Sequence, residues 1–270
     1  MSKYPFLGLG FNSWSAKFGR SDSILWTPAE LDGVQLWLDA DDSSTIVYNK
    51  ETSLVTDWHD KSGNNRHATQ GAGANQPTYT TAGLNGKNVL TFSGDYLTIP
   101  SAESDYFAYQ SAFIVYSDTS TASFVTPLGG KYGGSAGGPY HGYNDETQIF
   151  SAQYTSSITR NGDNFKNGTD IGDGLSTPRP GSTPAIFSYI PTGQFNNPRR
   201  LGVIGADFAD SANRGITGLI AEIIILEGDP DLNDPSDTNR KKIEGYLAHN
   251  WGLAGDLSSD HPYKSSAPAK

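Results

Sequence analysis

The sequence predicts a mainly β protein, a two-sheet antiparallel sandwich with one C-terminal amphipathic helix. Three observations lead there. Charged residues make up only 18% of the 270 residues, and the polarity comes instead from Ser, Thr, Asn, Gly and Tyr, residues that suit turns and solvent-facing strand positions. Short apolar stretches recur between turn clusters with no repeat of fixed period, which argues against a solenoid or propeller. A single late segment carries a convincing helical stripe.

The elements follow in order. Residues 1–27 form an irregular N-terminal arm for docking or assembly. Phe6, Leu7, Leu9, Phe11, Trp14 and Phe18 are too many large apolar groups for a solvated tail, so they need a partner surface. That surface is either the arm's own domain or a neighbouring subunit. Thr27-Pro28-Ala29-Glu30 has the N-cap, first-position proline and acidic third position of a short helical turn. Val34-Gln35-Leu36-Trp37-Leu38-Asp39 alternates as a strand. Ile46–Tyr48 and Val55–Asp60 read as further strands, and Lys61-Ser62-Gly63-Asn64-Asn65 as a tight turn with Gly63 and Asn64 free to take positive φ.

The rhythm continues beyond residue 80. Asn88–Phe92 and Tyr96–Ile99 flank Ser93-Gly94-Asp95 in a hairpin pattern. Ser111–Tyr116 is a near-continuous apolar run, expected of a core strand. Gln148–Phe150, Ala185–Tyr189, Arg200–Ile204 and Gly218–Leu226 follow as strands. A helix is expected over about 235–251, entered through Asp234-Pro235-Ser236-Asp237. Ile243, Tyr246, Leu247 and Trp251 form its apolar stripe, Arg240, Lys241 and Lys242 lie elsewhere, and Gly252 stops it. Trp37, Trp58 and Trp251 read as core anchors. Residues 28–264 make one domain and 265–270 a tail.

Composition excludes several functions. With no cysteine there is no disulfide framework, thiolate metal site or Cys nucleophile. No stretch approaches the roughly 20 apolar residues of a membrane-spanning helix; the longest apolar run, Leu219–Leu226, is interrupted by Glu222. The balance of 19 Lys+Arg against 29 Asp+Glu, a net charge of −10, makes nucleic acid a poor partner. The first residues lack the apolar core of a signal peptide. The expectation is a protein made in a host cytoplasm, for which a virion component released by lysis is a natural setting.

Several segments then carry a resemblance. Leu36-Trp37-Leu38-Asp39-Ala40-Asp41, Trp58–Ala68, Gly83–Gly94 and Leu219–Ile224 occur in the order found in laminin-G-like, concanavalin A-like jelly rolls. Ile243–Leu253 with His261-Pro262-Tyr263-Lys264 is similar to a tail that follows such domains in phage and marine bacterial surface proteins. The resemblance implies a jelly-roll sandwich without obligatory catalytic residues, since this fold hosts lectins, adhesins, glycanases and purely structural modules.

Three segments offer chemistry. Glu222 and Glu227 match the outer positions of a glucanase strand reading Glu-x-Asp-x-x-Glu, but Ile224 stands where the central Asp belongs. Residues five apart on a regular strand also point to opposite faces, so the pair would converge only through a bulge. The Gly-rich segment 129–145 offers Tyr132, Tyr140, His141 and Tyr143 as a saccharide-stacking platform, with Asn144 and Asp145 as hydroxyl acceptors; a flexible loop or an inter-subunit contact is the simpler reading of it. Asp229–Asp237 has the one-three-five oxygen spacing of a calcium loop, yet Asp234 replaces its Gly and Arg240 its bidentate Glu. Calcium is therefore the one conceivable ion, and no metal ligands are assigned. His59, His67, His141, His249 and His261 show no ligand spacing.

The expectation drawn from these readings is a non-enzymatic phage virion structural protein, as head decoration, head fibre or tail-associated module. It displays its jelly roll on the virion surface and attaches to capsid or tail proteins through residues 1–27, in homo-oligomeric form. A carbohydrate-binding adhesin is the alternative, and a glycanase a distant third.

Overall fold

A computed structural model describes residues 25–99, 108–130, 140, 148–195, 201–208, 214–231, 236 and 238–270. Alternating and continuous apolar runs become two antiparallel sheets that face one another. The larger has eight strands: β1 (Val34–Asp39), β5 (Thr78–Leu84), β6 (Lys87–Ser93), β8 (Ser111–Asp118), β10 (Asp163–Lys166), β11 (Thr169–Asp170), β12 (Gly181–Ile190) and β14 (Thr217–Leu226). The smaller has six: β2 (Ile46–Tyr48), β3 (Val55–Trp58), β4 (Ala68–Thr69), β7 (Leu97–Thr98), β9 (Leu128–Gly130) and β13 (Leu201–Ile204). A one-turn helix α1 (Ser157–Arg160) and the long helix α2 (Thr238–Asn250) complete the frame.

The larger sheet is covered on both faces. Ile114 and Tyr116 of β8 point into the core between the sheets, with Trp58, Phe92 and Phe187. Phe113 and Val115 point the other way, into a second apolar layer with Ile243 and Leu247 of α2, with Trp251 just past its end, and with Trp26. Every residue of β8 is consequently buried, which is why its sequence reads as an unbroken apolar run rather than an alternation. The molecule has three layers: small sheet, large sheet, helix.

Several local expectations change. The Ser93-Gly94-Asp95 turn does not close a hairpin. β6 pairs with β5 and β14 in the large sheet, while β7 pairs with β4 and β13 in the small one. Gly94 (φ +85°) donates its N–H to the Ile216 carbonyl, and the turn carries the chain across the sandwich. The true hairpin joins β5 to β6 through Asn85 (φ +50°) and Gly86 (φ +83°), both left-handed as a type I′ turn requires. In the 61–65 turn it is Gly63 and Asn65, not Asn64, that take positive φ. Gln148 makes an isolated bridge to Pro178 rather than a strand.

Helix α2 begins at Thr238, three residues later than expected. Asp231, from the preceding turn, accepts the backbone N–H groups of Asn239 (2.8 Å) and Arg240 (3.0 Å) at its first turn; Asp234, Pro235 and Asp237 lie outside the described residues. At the far end Gly252 (φ +68°) lets Leu253 N–H bond back to the Ala248 carbonyl at 2.7 Å, a Schellman stop. Arg240, off the apolar stripe, is nonetheless buried. Its Nη1 grips both carboxylate oxygens of the buried Glu244 at 3.0 and 2.8 Å, and its guanidinium lies 3.7 Å from the Phe165 ring centre.

Gly245 faces the returning C-terminal segment so closely that an added Cβ would lie 2.5 Å from the Tyr263 Cβ. Gly245→Ala, worth up to about 1 kcal/mol of gain in an unpacked helix, is therefore expected to destabilise the protein by about 1–3 kcal/mol, read as a lowered midpoint of urea unfolding.

Candidate functional site

Among the described residues, a dense set of interacting polar side chains gathers at a seam in the large sheet. β14 is longer than either neighbour on one edge: Thr217–Ile220 pair with β6, and Glu222–Leu226 pair with β1. At the junction β14 advances two residues, Ile220 to Glu222, while β8 on its other edge advances one, Tyr116 to Val115. This is a β-bulge at Ala221. Ile220 and Ile223 both face the inter-sheet core and Ala221 the helix layer. The bulge thus turns Glu222 away from the core between the sheets and toward α2.

There Glu222 is fully buried and surrounded by donors. Trp37 Nε1 donates to Oε1 at 2.7 Å, Trp251 Nε1 to Oε2 at 2.7 Å, and Asn250 Nδ2 to Oε2 at 3.0 Å. The Tyr246 hydroxyl is a further hydrogen-bond partner. Asp39 stands opposite on β1. Burial, with the Asp39 charge added to it, outweighs these donors and pushes the Glu222 carboxyl from 4.5 up to about 7.

The seam opens outward onto ion pairs. Lys61 Nζ lies 2.8 Å from Asp39 and 2.9 Å from Asp42, and 4.5 Å from the Trp37 ring centre. Burial disfavours this ammonium, but the two carboxylates prevail and hold its pKa above the usual 10.5. Lys87 Nζ lies 2.6 Å from Asp41 and 5.7 Å from the Trp251 ring centre. Asp60 organises the adjoining turn, accepting Trp37 N–H, Ser62 N–H and Arg66 N–H at 2.9–3.0 Å.

Two clefts flank this seam. One, of about 250 Å³, is predominantly apolar and lined by Leu25, Trp26, Tyr246 and Pro268, with Lys87 and Asn250 at its polar side. The other, of about 760 Å³, is polar and lined by Glu30, Asp32, Glu227 and Asp229 among others. Thr27 lines the first and Glu30 the second, and the 3-10 turn Pro28–Glu30 links them in sequence, with Glu30 N–H bonding to the Thr27 carbonyl at 3.0 Å.

The residues singled out from the sequence are placed as follows. Glu222 is enclosed, whereas Glu227 is exposed, with Gln35 Nε2 donating to it at 3.2 Å; the bulge sends Glu222 under the helix and does not bring the two carboxylates together. Tyr140 is 3% exposed. Its ring centre lies 5.1 Å from that of Tyr189, so it is a core residue with no face open to a sugar. Tyr132, His141, Tyr143, Asn144 and Asp145, and the arm residues Phe6, Leu7, Leu9, Phe11, Trp14 and Phe18, lie outside the described residues. In the 229–237 segment Asp229 Oδ1 accepts Asp231 N–H at 2.8 Å, and both Asp231 oxygens cap α2. Among the described residues no group of three His, Asp or Glu side chains is placed to hold a metal ion.

The His59 and His67 rings meet at a tilt of 41° with centres 4.6 Å apart, and His67 Nδ1 accepts Asp60 N–H at 3.0 Å. His249 bonds the Tyr263 carbonyl through Nε2 at 2.7 Å. His261 Nε2 lies 3.1 Å from Glu244, which also accepts Ser188 Oγ at 2.8 Å. Nothing in the sequence pattern marks Asp39, Lys61 or Asn250 as members of this seam, and Tyr246 reads there only as part of the helix's apolar stripe. The one hint in the sequence was Glu222 itself, an acid amid an apolar strand.

No family model and no curated protein matches the chain. Among solved structures it is similar to one described as "GH54 a-l-arabinofuranosidase soaked with cyclic sulfate inhibitor", with 13% identity and a TM-score of 0.40. The likeness covers 82% of this chain and 60% of that one. At that distance it carries no argument about chemistry.

The raised Glu222 pKa has a definite consequence for stability. The folded state holds this proton more tightly than the unfolded chain, so the contribution is full below pH 4.5 and is lost as pH rises toward about 7. The whole effect is about 3 kcal/mol. Glu222→Gln is expected to flatten the stability–pH profile between those limits, measured by urea unfolding from pH 4 to 8; an unchanged slope would refute the assignment. Trp37→Phe, which keeps the ring but deletes one donor to a buried carboxylate, should cost about 1–3 kcal/mol.

Proposed function

We propose that this chain is a non-enzymatic structural module of a phage virion. It displays a laminin-G-like jelly roll on the particle surface, as head decoration, head fibre or tail-associated module, and attaches through its N-terminal residues to capsid or tail proteins. The supporting observation is how the body receives the end of the arm. Leu25 pairs with Ala269, Trp26 N–H bonds the Pro268 carbonyl at 3.1 Å, and Trp26 is buried in the helix layer. An arm rooted in a packed layer can transmit an attachment force to the fold, which a free tail cannot.

The placement of the carboxylates also favours a structural role. Glu222 is fully buried and committed to indole and amide donors beneath α2, and Glu227 stands apart on the surface, so these two do not form the facing carboxylate pair that glycoside hydrolysis uses.

The root fixes where the arm should be cut. Removing residues 1–24 spares Trp26. That truncated chain is expected to keep its near-UV circular dichroism and to be missing from purified particles when it replaces the full chain, as read by mass spectrometry. Incorporation at the full chain's ratio would sink the proposal.

A further inference from the structure

We infer that the Lys61 amine and the Asp39 carboxyl condense into an intramolecular amide, a covalent link between the turn after β3 and the end of β1, with Glu222 as the neighbouring proton carrier. The link goes beyond the proposed function and does not depend on it.

Three observations carry it. The first is that backbone bonds, not only long side chains, hold the two groups together. Lys61 N–H donates to the Trp37 carbonyl at 2.8 Å and Trp37 N–H to Asp60 Oδ1 at 3.0 Å, which ties the lysine's backbone to the strand that carries Asp39. Its Nζ then lies 2.8 Å from Asp39 Oδ2 and 4.5 Å from the Trp37 ring centre. Groups fixed in this way react as though present at about 10⁵–10⁸ M.

The second is that the two oxygens of Asp39 already differ. Oδ1 accepts the Asp41 N–H at 3.0 Å, whereas Oδ2 faces the amine. Oδ1 is therefore placed to take the charge of a tetrahedral intermediate and to become the amide oxygen. The third is an acid on the same face. Asp39 and Glu222 are directly opposed in the β1–β14 ladder, which sets their Cβ atoms about 4.5–5.5 Å apart. Trp37, two residues before Asp39, bonds Glu222 from that face. Both acids are buried, and burial keeps the Glu222 proton in place up to about pH 7. Lys87 and Asp41 are as close, at 2.6 Å, but their side chains are 33% and 28% exposed against 23% and 10% for Lys61 and Asp39, and Asp41 lies outside the β1–β14 ladder.

The resting pair is an ammonium facing Asp39 and, at 2.9 Å, Asp42. A proton moved along the 2.8 Å contact gives amine and carboxylic acid, with none drawn from solvent. The Nζ lone pair attacks Cγ, Glu222 gives a proton to the departing Oδ2, and it recovers the proton that the nitrogen sheds. The Nζ–Cγ bond forms and the Cγ–Oδ2 bond breaks. Oδ2 leaves as water with the two protons lost by the ammonium, and nothing is oxidised or reduced.

The test is the intact mass of the full-length protein, with fragmentation of its tryptic peptides. A mass lower by one water than the sequence requires is expected, together with a branched peptide joining Lys61 to Asp39. Lys61→Arg, which keeps the charge but cannot form the link, should restore the full mass. Glu222→Gln keeps a hydrogen-bonding side chain without an acid proton, and freshly made it should link at least about tenfold more slowly. Trp37→Phe, which loosens the same pocket but leaves the acid, should still link fully. A full mass for the unaltered chain would overturn the inference. So would water loss without a branched peptide, the mark of an aspartyl imide, or a branch at Asp41 or Asp42. A folded Glu222→Gln chain that links at the unaltered rate would overturn the part given to Glu222.

Discussion

A carboxylate that belongs in water holds the helix layer to the sandwich. Glu222 sits in the middle of an otherwise apolar strand, fully buried, where a lone ionised group would cost several kcal/mol. It persists because partners converge on it from β1 and from the C-terminal end of α2: Trp37 on one side, Tyr246, Asn250 and the following Trp251 on the other. Apolar packing of Ile243 and Leu247 on the sheet is non-directional and would tolerate a helix slid along its axis. Two indole N–H bonds to one carboxylate would not. The bulge at Ala221 is what makes the arrangement reachable, since on a regular strand the same side chain would point between the sheets, among Trp58 and Phe92.

A second buried acid repeats the device farther along the helix. Glu244 is held by Arg240 of its own helix, by Ser188 of β12 and by His261 of the returning C-terminal segment. Removing any one partner would leave a buried charge short of compensation, which is the costly direction for such networks. With Glu222 fastening the C-terminal end of α2 and Glu244 its middle, two fixed points determine how the helix lies across the sheet. The C-terminal segment must then pass over Gly245, where only a hydrogen atom fits beneath Tyr263. The large sheet can be apolar on both faces because this layer is pinned by polar bonds.

Much of the architecture is legible in local pattern. The unbroken run of β8, the alternation of β1, the stripe of Ile243, Leu247 and Trp251, and the Gly252 stop all state their roles within a few residues. What is not legible depends on partners distant in sequence. Ser93-Gly94-Asp95 specifies a turn, but whether that turn returns within a sheet or crosses to another is decided by Ile216, more than a hundred residues away. Arg240 lies off the apolar stripe, and its burial is not legible because its charge is visible and Phe165, Ser188 and His261 are not. Tyr140 lies in a Gly-rich segment that looks like an exposed loop, yet its ring is drawn into the aromatic core by Tyr189 and Phe195. Glu222 is the sharpest case. The sequence marks it as anomalous, and a catalytic carboxylate and a structural one look identical until the bulge and the two tryptophans are seen together.

The same side chains connect the fold's fastening point to the arm. Trp26 meets the Tyr246 ring edge-on at 6.2 Å, Tyr246 meets Trp37 at 6.4 Å, and both Tyr246 and Trp37 bond Glu222. Whatever pulls on or covers the arm's root therefore acts on the helix layer, while the core between the two sheets, built from a separate set of residues, is left untouched. If the chain is held through its N-terminal residues, as proposed, that division works in its favour. Its sandwich need not deform to be held, and its sandwich loops stay free of the attachment's steric demands. Fusing both tasks into one apolar core would make each contact formed at the arm a perturbation of the fold. Separating them by a sheet that is buried on both faces confines the perturbation to one layer, and the polar grip on Glu222 and Glu244 is what keeps that layer in register while it bears it.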